Sequence, residues 1–283
     1  KILDCTLRDG GYYNDWNFNA KLVNEYISSI NKSNIDIVEI GFRFLKKNNN
    51  GTFANTKETT INNLDFRKNL DLALMINSSD LDFSNNYKKQ LKKYFLKKNN
   101  SKISIIRFAT HLKDIKKIIP HIKYLKKIGY RIVVNLMQID KVKETSLREV
   151  LKLLANTKSV EVFYFADSFG NLNPKKIEKI CKIIKKSWKK DFGFHAHDNC
   201  GLALQNCLTA NENGAKWIDS TVQGMGRGAG NVSTEDLMCS LQEYKSFKYD
   251  TKPIFHLAQN SFKVLKEKYK WGKSIYYHLS AKF

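Results

Sequence analysis

Apolar runs rich in β-branched residues recur along the chain, and each is followed by a polar or amphipathic stretch. The runs lie at residues 2–7, 35–42, 71–77, 103–109, 131–137, 160–167, 192–197 and 215–222. Because they are almost continuously apolar, they predict strands of a sheet that is covered on both faces. Apolar residues at helical spacing fill segments between the runs, including 19–33 and 174–188, where Pro174 favours a helix start.

Eight strands alternating with helices are typical of an α/β fold, and their number predicts a (β/α)₈ TIM barrel. The alternative is a doubly wound open sheet, which normally carries a glycine-rich phosphate-binding turn after its first strand, a spacing that RDGGY at 8–12 lacks. We predict a barrel domain at residues 1–247 and a small C-terminal helical extension at 248–283. Whether this extension is a truncated form of a longer one is left open. Helical spacing in this part of the chain covers 233–246 and 254–269.

Charge and cysteine content change this picture little. The chain has 49 basic and 27 acidic residues, a formal net charge of +22. The lysines are scattered over amphipathic segments, which is typical of a solvated surface. An anionic substrate is the second explanation of the positive charge. Nucleic-acid binding is the third, and no nucleic-acid-binding motif supports it. An odd number of cysteines without a C-x-x-C pair favours reduced thiols in the cytoplasm, and no apolar run is long enough to span a membrane.

Side chains that bind metals or anions follow the first and seventh predicted strands. Arg8 and Asp9 follow strand one, and His195 and His197 end strand seven. Residues two apart on a strand point to the same side, and the active site of such a barrel lies at the C-terminal strand ends. The two imidazoles and the carboxylate can therefore form a divalent-cation site, whereas a hydrogen-bonded histidine pair is the alternative for H-x-H alone.

Further polar residues flank this candidate centre. Asp198 could orient the imidazoles, or it could cap the helix that follows it. The glycines at 224, 226, 228 and 230 would let backbone amides approach a ligand, and the Asn231 side chain could face the cation. At the end of strand two, Glu39 could support the cation site. Arg43 and Arg107 could bind a substrate anion or form ion pairs within the barrel.

Five stretches together resemble the DRE-type metallolyases, the HMG-CoA lyase-like family of TIM barrels. They are LDCTLRDGGY, IIRFATH, ADSFGNLNP, FHAHDNCGLALQN and DSTVQGMGRGAGNVSTEDL. This group includes 3-hydroxy-3-methylglutaryl-CoA lyases, isopropylmalate and homocitrate synthases, carboxyltransferase domains and 4-hydroxy-2-oxovalerate aldolases. The glycine loop and RFATH look most like the aldolases, and no cysteine between Cys207 and Cys239 supplies the reactive thiol of the HMG-CoA lyases.

The resemblance implies a divalent-metal-dependent aldolase that cleaves or forms a 4-hydroxy-2-oxoacid through a pyruvate enolate. Mn²⁺ or Mg²⁺ is the expected cation, and Co²⁺, Zn²⁺ or Fe²⁺ would accept the same donor set. The implied roles are metal ligation by Asp9, His195, His197 and Asn231, substrate binding by Arg8, Ser168, Arg107 and Gly226, and support of the site by Glu39, Asp198 and Asp167.

The chain departs from the aldolases at one position. Those enzymes place a proton-transferring histidine three residues after the metal-binding aspartate, where this chain has Tyr12. A phenol is a poor base because its ordinary pKa is about 10, although it can donate a proton. Arg8, Tyr12 and Tyr276, in the C-terminal segment WGKSIYYHLSA, are therefore the catalytic candidates, and a structural ion pair is the alternative for Arg8.

Other functions and several partners stay open at this point. A Claisen-type acyltransferase that joins a 2-oxoacid and an acyl-CoA is the first alternative, and a zinc hydrolase or a basic nucleic-acid-binding protein is less favoured. The expected substrates are a 2-oxoacid and an aldehyde, which could be anionic. A homodimer and an acylating aldehyde dehydrogenase are the partners to consider, and the cytoplasm is the expected location.

Overall fold

Eight parallel strands form a closed barrel in chain order. The computed structural model describes residues 1–46, 49–242 and 248–282. The last strand is hydrogen-bonded to the first, which closes the barrel. The strands are β1 Ile2–Asp4, β2 Ile37–Phe42, β3 Asp71–Asn77, β4 Ile105–Thr110, β5 Arg131–Leu136, β6 Val162–Asp167, β7 Phe192–Ala196 and β8 Trp217–Ser220. The predicted (β/α)₈ barrel is confirmed.

Helices follow the strands, as the periodicity predicts. They are α1 Thr6–Asp9, α2 Ala20–Ser33, α3 Glu58–Asn62, α4 Tyr87–Tyr94, α5 Ile115–Lys127, α6 Glu144–Asn156, α7 Pro174–Ser187, α8 Ala203–Glu212, α9 Thr234–Ser240, α10 Lys252–Leu257, α11 Lys263–Tyr269 and α12 Ile275–Lys282. Side-chain caps begin two of the long helices: Asn19 accepts from Leu22 N, and Asn173 accepts from Lys176 N. The apolar faces of these helices pack on the outer surface of the barrel.

The first strand is shorter than the apolar run at 2–7 predicted. It ends at Asp4, whose carboxylate accepts a hydrogen bond from Thr6 N at 2.9 Å, and residues 6–9 form α1. The Thr6 hydroxyl in turn accepts from Val222 N at 2.9 Å, which ties this helical turn to the loop after β8. Arg8 and Asp9 consequently stand on a helical turn at the C-terminal face rather than directly on a strand.

The barrel interior is filled by side chains from every strand except β7, together with Cys5 directly after β1. A buried cluster contains Leu3, Cys5, Ile37, Ala73, Ile105, Val133, Val162, Tyr164 and Trp217. The Tyr164 ring lies so close to β7 that a Cβ on Gly193 would come within 2.4 Å of its Cζ. A glycine at 193 is therefore needed for this ring to lie across the barrel.

The C-terminal helices pack on the barrel next to the glycine-rich loop after β8. The Gln223 side-chain amide donates to the carbonyl of Ala258, at the π-helical turn between α10 and α11, at 3.3 Å. The Gln223 carbonyl accepts from Trp271 Nε1 at 2.9 Å. The predicted division at residue 247, and the end of the predicted helix 233–246, lie outside the described residues, so the division stays a prediction. Within the described ranges, no helix has both the length and the apolar character needed to cross a membrane.

Glu235 on α9 provides a pH-dependent contribution to stability. Its carboxylate is buried, and both oxygens lie 3.1 Å from Gln223 N. Burial raises its pKa from 4.5 to about 7. Because the folded state holds the proton more tightly, this stabilising contribution is complete below about pH 4.5 and is lost as the pH rises through about 7.

Glu235→Gln is therefore expected to raise the free energy of unfolding at pH 8 by about 3 kcal/mol, because it removes a buried charge. The gain should shrink towards zero near pH 5, where the native glutamic acid is already neutral. Urea unfolding of both proteins at pH 5, 6, 7 and 8 measures this. An equal difference at pH 5 and pH 8 would contradict the assigned cause.

Candidate metal centre

Three side chains converge at the C-terminal face of the barrel. Asp9, His195 and His197 are buried, and one potential ligand atom from each lies within 4.8 Å of the other two. His195 lies on β7, and His197 follows it and forms an antiparallel bridge with Asn231. Asp9 Oδ2 lies 3.3 Å from His195 Nε2, a spacing at which both atoms can bind one cation.

Hydrogen bonds orient both imidazoles. His195 Nδ1 lies 3.0 Å from Asp219 Oδ2, and His197 Nδ1 lies 3.3 Å from the carbonyl oxygen of Arg227. Each oxygen is an acceptor, so each Nδ1 donates and leaves Nε2 directed elsewhere, as in many metal-binding histidines. Nothing in the motifs singled out Asp219 beforehand. Its only signal was its position two residues after Trp217, which places it on the inner face of β8.

The charges around the centre favour the protonation states of a metal site. Burial, followed by the charge of His195, lowers the pKa of His197 to about 3, so this imidazole is neutral near pH 7. For His195, burial lowers the pKa, but the hydrogen bonds and charges of Asp219 and Asp9 outweigh it and raise the pKa. Burial opposes ionisation of Asp9, but the Arg8 guanidinium together with His195 and His197 outweighs it and lowers the pKa of that carboxyl. A cation would therefore meet a carboxylate and displace at most one proton, that of His195.

Asn231 adds an oxygen donor beside this cluster. Its Nδ2 donates to Asp9 Oδ2 at 2.6 Å, while its buried Oδ1 has no hydrogen-bond partner among the residues described. A Cβ on Gly226 would lie 2.7 Å from Asn231 Nδ2, so the glycine, predicted to bind substrate, instead leaves space for this amide. An unpaired buried oxygen next to a carboxylate and two imidazoles fits a divalent cation with mixed nitrogen and oxygen ligands.

Arg8 connects the cluster to the barrel interior. Its Nη1 donates to Asp9 Oδ1 at 2.5 Å, and its Nε donates to Glu39 Oε2 at 2.6 Å. Its third nitrogen, Nη2, is buried and finds no acceptor in the described part of the chain. Leaving a buried charged donor unpaired is costly, so this N–H group is positioned for an oxygen of a bound ligand.

Arg107 lies below the centre and does not reach it. The residue is fully buried, with Nη2 2.7 Å from Asp219 Oδ2 and Nη1 3.1 Å from Glu39 Oε1. Its guanidinium carbon lies 4.5 Å from the centroid of the Tyr164 ring. We therefore assign Arg107 to holding the carboxylates beneath Arg8 and His195, rather than to the predicted substrate contact.

Two carboxylates that were predicted to support the site are directed at backbone amides instead. Asp198 Oδ1 accepts from Ala203 N at 2.9 Å, at the first residue of α8. The oxygens of Asp167 accept from Asn171 N at 3.1 Å and Leu172 N at 3.0 Å. Asp198 thus follows the alternative of a helix cap, and Asp219 and a backbone carbonyl contact the imidazoles.

Ser168 and Arg43 occupy different environments at the strand ends. The Ser168 hydroxyl oxygen accepts from Gln138 N at 3.0 Å, which leaves its hydrogen free to donate. Arg43 donates to Thr56 O at 2.8 Å and lies 3.1 Å from Glu58 Oε1, so it follows the alternative of an ion pair within the barrel.

A family model described as HMGL-like matches residues 1–260. The chain belongs to the HMGL-like family. The predicted resemblance is confirmed, and the match covers every strand of the barrel and α10.

The similar proteins include aldolases. The 4-hydroxy-2-oxovalerate aldolase of Carboxydothermus hydrogenoformans is 28% identical over 250 residues, which are 85% of this chain and 70% of that protein. The one from Pelotomaculum thermopropionicum is 34% identical over 141 residues, 50% of this chain and 41% of that protein. These names agree with the predicted enzyme class, a carbon–carbon lyase of the aldolase type, although the second alignment spans less than half of its relative.

Solved structures of similar proteins have the same fold. The N-terminal domain of a candidate aldolase from Bacteroides vulgatus is 34% identical, with a TM-score of 0.86 over 99% of this chain and 92% of that chain. Hydroxymethylglutaryl-CoA lyase from Pseudomonas aeruginosa superposes with a TM-score of 0.73 over 94% of this chain and 92% of that chain, at 14% identity. The second similarity shows the fold alone.

The two candidate tyrosines differ in their relation to this HMGL-like centre. Tyr12 is 46% exposed, and its ring packs edge-on against Trp16 with centroids 4.9 Å apart. Partial burial, followed by the negative charge of Asp9, raises the pKa of its phenol. Tyr12 therefore stays protonated near pH 7 and can donate a hydrogen bond. Tyr276 on α12 is 79% exposed, and its catalytic role stays a prediction.

Tyr12→Phe is expected to lower turnover by about tenfold, the effect of losing one hydrogen bond to the reacting substrate. Tyr276→Phe should change turnover by less than about twofold, because a largely exposed side chain contributes little. Steady-state kinetics on both variants measure the contrast. A larger loss in Tyr276→Phe than in Tyr12→Phe would reverse this assignment.

Proposed function

We propose that this HMGL-like protein is a divalent-metal-dependent aldolase that cleaves or forms a 4-hydroxy-2-oxoacid through a pyruvate enolate. The observation that carries the proposal is the convergence of Asp9, His195 and His197 beside the unpaired Nη2 of Arg8. The names of the aldolase relatives support it. Mn²⁺ or Mg²⁺ is the proposed cation, because carboxylate and amide oxygens suit these ions.

Asp9, His195 and His197 would hold the cation, with Asn231 Oδ1 as a further donor. When bound, such a cation supplies Lewis acidity to the 2-oxo group of the substrate. Arg8 Nη2 donates a hydrogen bond to the substrate oxygen that gains negative charge as the C3–C4 bond breaks. Glu39 holds Arg8 Nε and so fixes the plane of the guanidinium.

Ser168 and Tyr12 would bind the two ends of the reacting segment. The Ser168 hydroxyl donates to the carboxylate of the pyruvyl group, since its oxygen is already engaged by Gln138 N. The Tyr12 phenol, which its raised pKa keeps protonated, donates to the oxygen on C4. In the condensation direction it can give this proton to the aldehyde oxygen as the new C–C bond forms.

Exchange of the pyruvate methyl protons in D₂O tests this proposal without knowledge of the aldehyde. Protein loaded with Mn²⁺ or Mg²⁺ is expected to exchange these protons, chelation should stop the exchange, and returning the metal should restore it. His197→Ala should lose bound metal and exchange, whereas the matched control His256→Ala, at an exposed histidine on α10, should keep both. Exchange that persists after chelation, or that fails with every divalent cation tried, would reject the aldolase proposal.

Partners and location belong to the same proposal. A 2-oxoacid and an aldehyde are the proposed substrates. A homodimer, an acylating aldehyde dehydrogenase partner and a cytoplasmic location stay predictions.

A further inference from the structure

Arg227 lies in the glycine-rich loop after β8, between Gly226 and Gly228, and the reaction proposed above gives it no role. We propose that its guanidinium group binds the C1 carboxylate of the 2-oxoacid and so selects acids over neutral 2-oxo compounds of the same shape. The inference rests on the proposed aldolase function and deepens it, because it names the residue that recognises the acid.

Two contacts place Arg227 beside the ends of β6 and β7. Its carbonyl oxygen lies 3.3 Å from Nδ1 of His197, and its Nη2 donates to the carbonyl oxygen of Ser168 at 3.2 Å. The last paired residues of these strands are Asp167 and Ala196. The residues that follow them, Ser168 and His197, therefore stand side by side. The guanidinium group consequently lies beside the region between a proposed cation ligand and the residue proposed to bind the pyruvyl carboxylate.

The backbone that carries Arg227 is held in place. Ala229 N donates to Asn199 Oδ1 at 3.0 Å, and Asn199 Nδ2 donates to the carbonyl oxygen of Phe169 at 3.0 Å. These bonds tie the glycine-rich loop to the loop after β6. A Cβ on Gly228 would lie 2.9 Å from Asn199 Oδ1, so a glycine is needed for this close approach. The exposed side chain of Arg227 therefore starts from a fixed position at the rim of the centre.

The charge of Arg227 is not committed to a carboxylate. The residue forms no ion pair in the part of the chain that the structure describes, and its Nη2 contacts a neutral carbonyl oxygen. Arg8 and Arg107, by contrast, are each paired with two buried carboxylates. A guanidinium group presents its N–H groups in a planar fork that matches a carboxylate. Its position and its free N–H groups, rather than the net charge of the chain, point to the substrate acid.

A structural tether is the alternative role for Arg227. If the side chain only held the glycine-rich loop to Ser168, its loss would displace His197 and Asn231. Cation binding would then weaken, and acidic and neutral substrates would suffer alike. If the side chain binds the carboxylate, its loss affects the acid alone and leaves the bound cation in place.

Pyruvate and pyruvamide separate these roles, because pyruvamide keeps the shape and the 2-oxo group but lacks the negative charge. Arg227→Gln is expected to raise KM for pyruvate in methyl-proton exchange by about tenfold or more, the effect of losing a charge-assisted hydrogen bond. Because this bond exists before and after the proton leaves, kcat should stay within about threefold. KM for pyruvamide should change by less than about twofold. Arg227→Lys, which keeps the charge without the fork, should fall between wild type and Arg227→Gln.

Arg148→Gln is the matched control, because it removes the same charge from a half-exposed arginine on α6. It should keep the wild-type preference for pyruvate. Metal content and the free energy of unfolding should stay at the wild-type values in both variants. Calorimetric titration of the Mn²⁺-loaded proteins with pyruvate and with pyruvamide measures the preference without turnover. The preference for pyruvate should fall by about tenfold in Arg227→Gln and persist in Arg148→Gln.

The outcomes separate this inference from the aldolase proposal. If pyruvate protons exchange but Arg227→Gln keeps the wild-type preference, or weakens pyruvate and pyruvamide alike, the inference is overturned while the aldolase function stands. If no exchange occurs with any divalent cation, the aldolase function fails and calorimetry decides alone. A preference for pyruvate that is lost only in Arg227→Gln then supports carboxylate binding, whereas equal binding of pyruvate to both variants, or no binding to the wild type, overturns it.

Discussion

Arg8→Lys is expected to lower the rate of pyruvate methyl exchange by about 100-fold or more, because lysine keeps the charge but loses the planar fork. That fork contacts Asp9 and Glu39 and leaves Nη2 free, and a single ammonium cannot occupy all three places. Proton NMR in D₂O at saturating pyruvate measures the rate. Metal content per chain should stay at the wild-type value, since the proposed ligands are unchanged.

The control for this prediction is Arg148→Lys, at a half-exposed arginine on α6 that pairs with Glu144. It should exchange pyruvate protons at the wild-type rate. Wild-type exchange in Arg8→Lys with full metal content would remove Arg8 from the proposed chemistry. Loss of metal together with exchange would instead mean that Arg8 acts by positioning Asp9.

Asp219→Asn is expected to weaken divalent-cation binding by about 10-fold to 100-fold, the usual effect of removing the group that orients a ligating histidine. The carboxylate accepts from His195 Nδ1 at 3.0 Å and from Arg107 Nη2 at 2.7 Å. The asparagine amide carries no negative charge, so it cannot be a charged acceptor for both His195 and Arg107. Because the buried Arg107 then keeps only Glu39 as an ionic partner, the free energy of unfolding should also fall by about 3 kcal/mol.

Calorimetric titration with Mn²⁺ and urea unfolding measure these two effects separately. Asp191→Asn is the matched control, since this carboxylate contacts β8 through Trp217 Nε1 at 3.3 Å but lies outside the centre. It should bind Mn²⁺ as the wild type does. If Asp219→Asn kept the wild-type affinity, the orientation of His195 would have to be set by another group.

The sequence was sufficient to predict the barrel and the place where the three candidate metal ligands meet. Apolar runs of strand length between amphipathic helices fix the element order, and parallel strands bring their C-terminal ends to one face. Asp9 and the two histidines could therefore be expected to meet although nearly two hundred residues separate them. This part of the prediction needed only strand ends and the alternation of side chains.

The hydrogen-bond partners within that site could not be read from the pattern. Alternation shows that Arg107 and Asp219 face the barrel interior, but it does not show which charges pair there. The helical turn that carries Arg8 depends on Thr6 and its contact with Val222, more than two hundred residues away. Asp198 was ambiguous for a related reason, because an aspartate before a helix serves equally well as a cap or as a partner of histidine.

The role of Tyr276 in the C-terminal segment rests on resemblance alone. Tyr276 was chosen because the segment has a similar order of residues to that of the aldolases. In the structure α12 has no buried residue, and Ile275 and Tyr276 are both largely exposed. A similar order of residues does not show where a helix packs on the barrel when the helix has no continuous apolar face.

The contact between Trp271 and the carbonyl of Gln223 links the C-terminal helices to the loop that presents Asn231. Any recombination that exchanged these helices between homologous barrels would have to preserve an indole-like donor at that carbonyl. A chimaera without it would lose one of the contacts that support the loop carrying Asn231, so its metal affinity would report how well the grafted tail had docked.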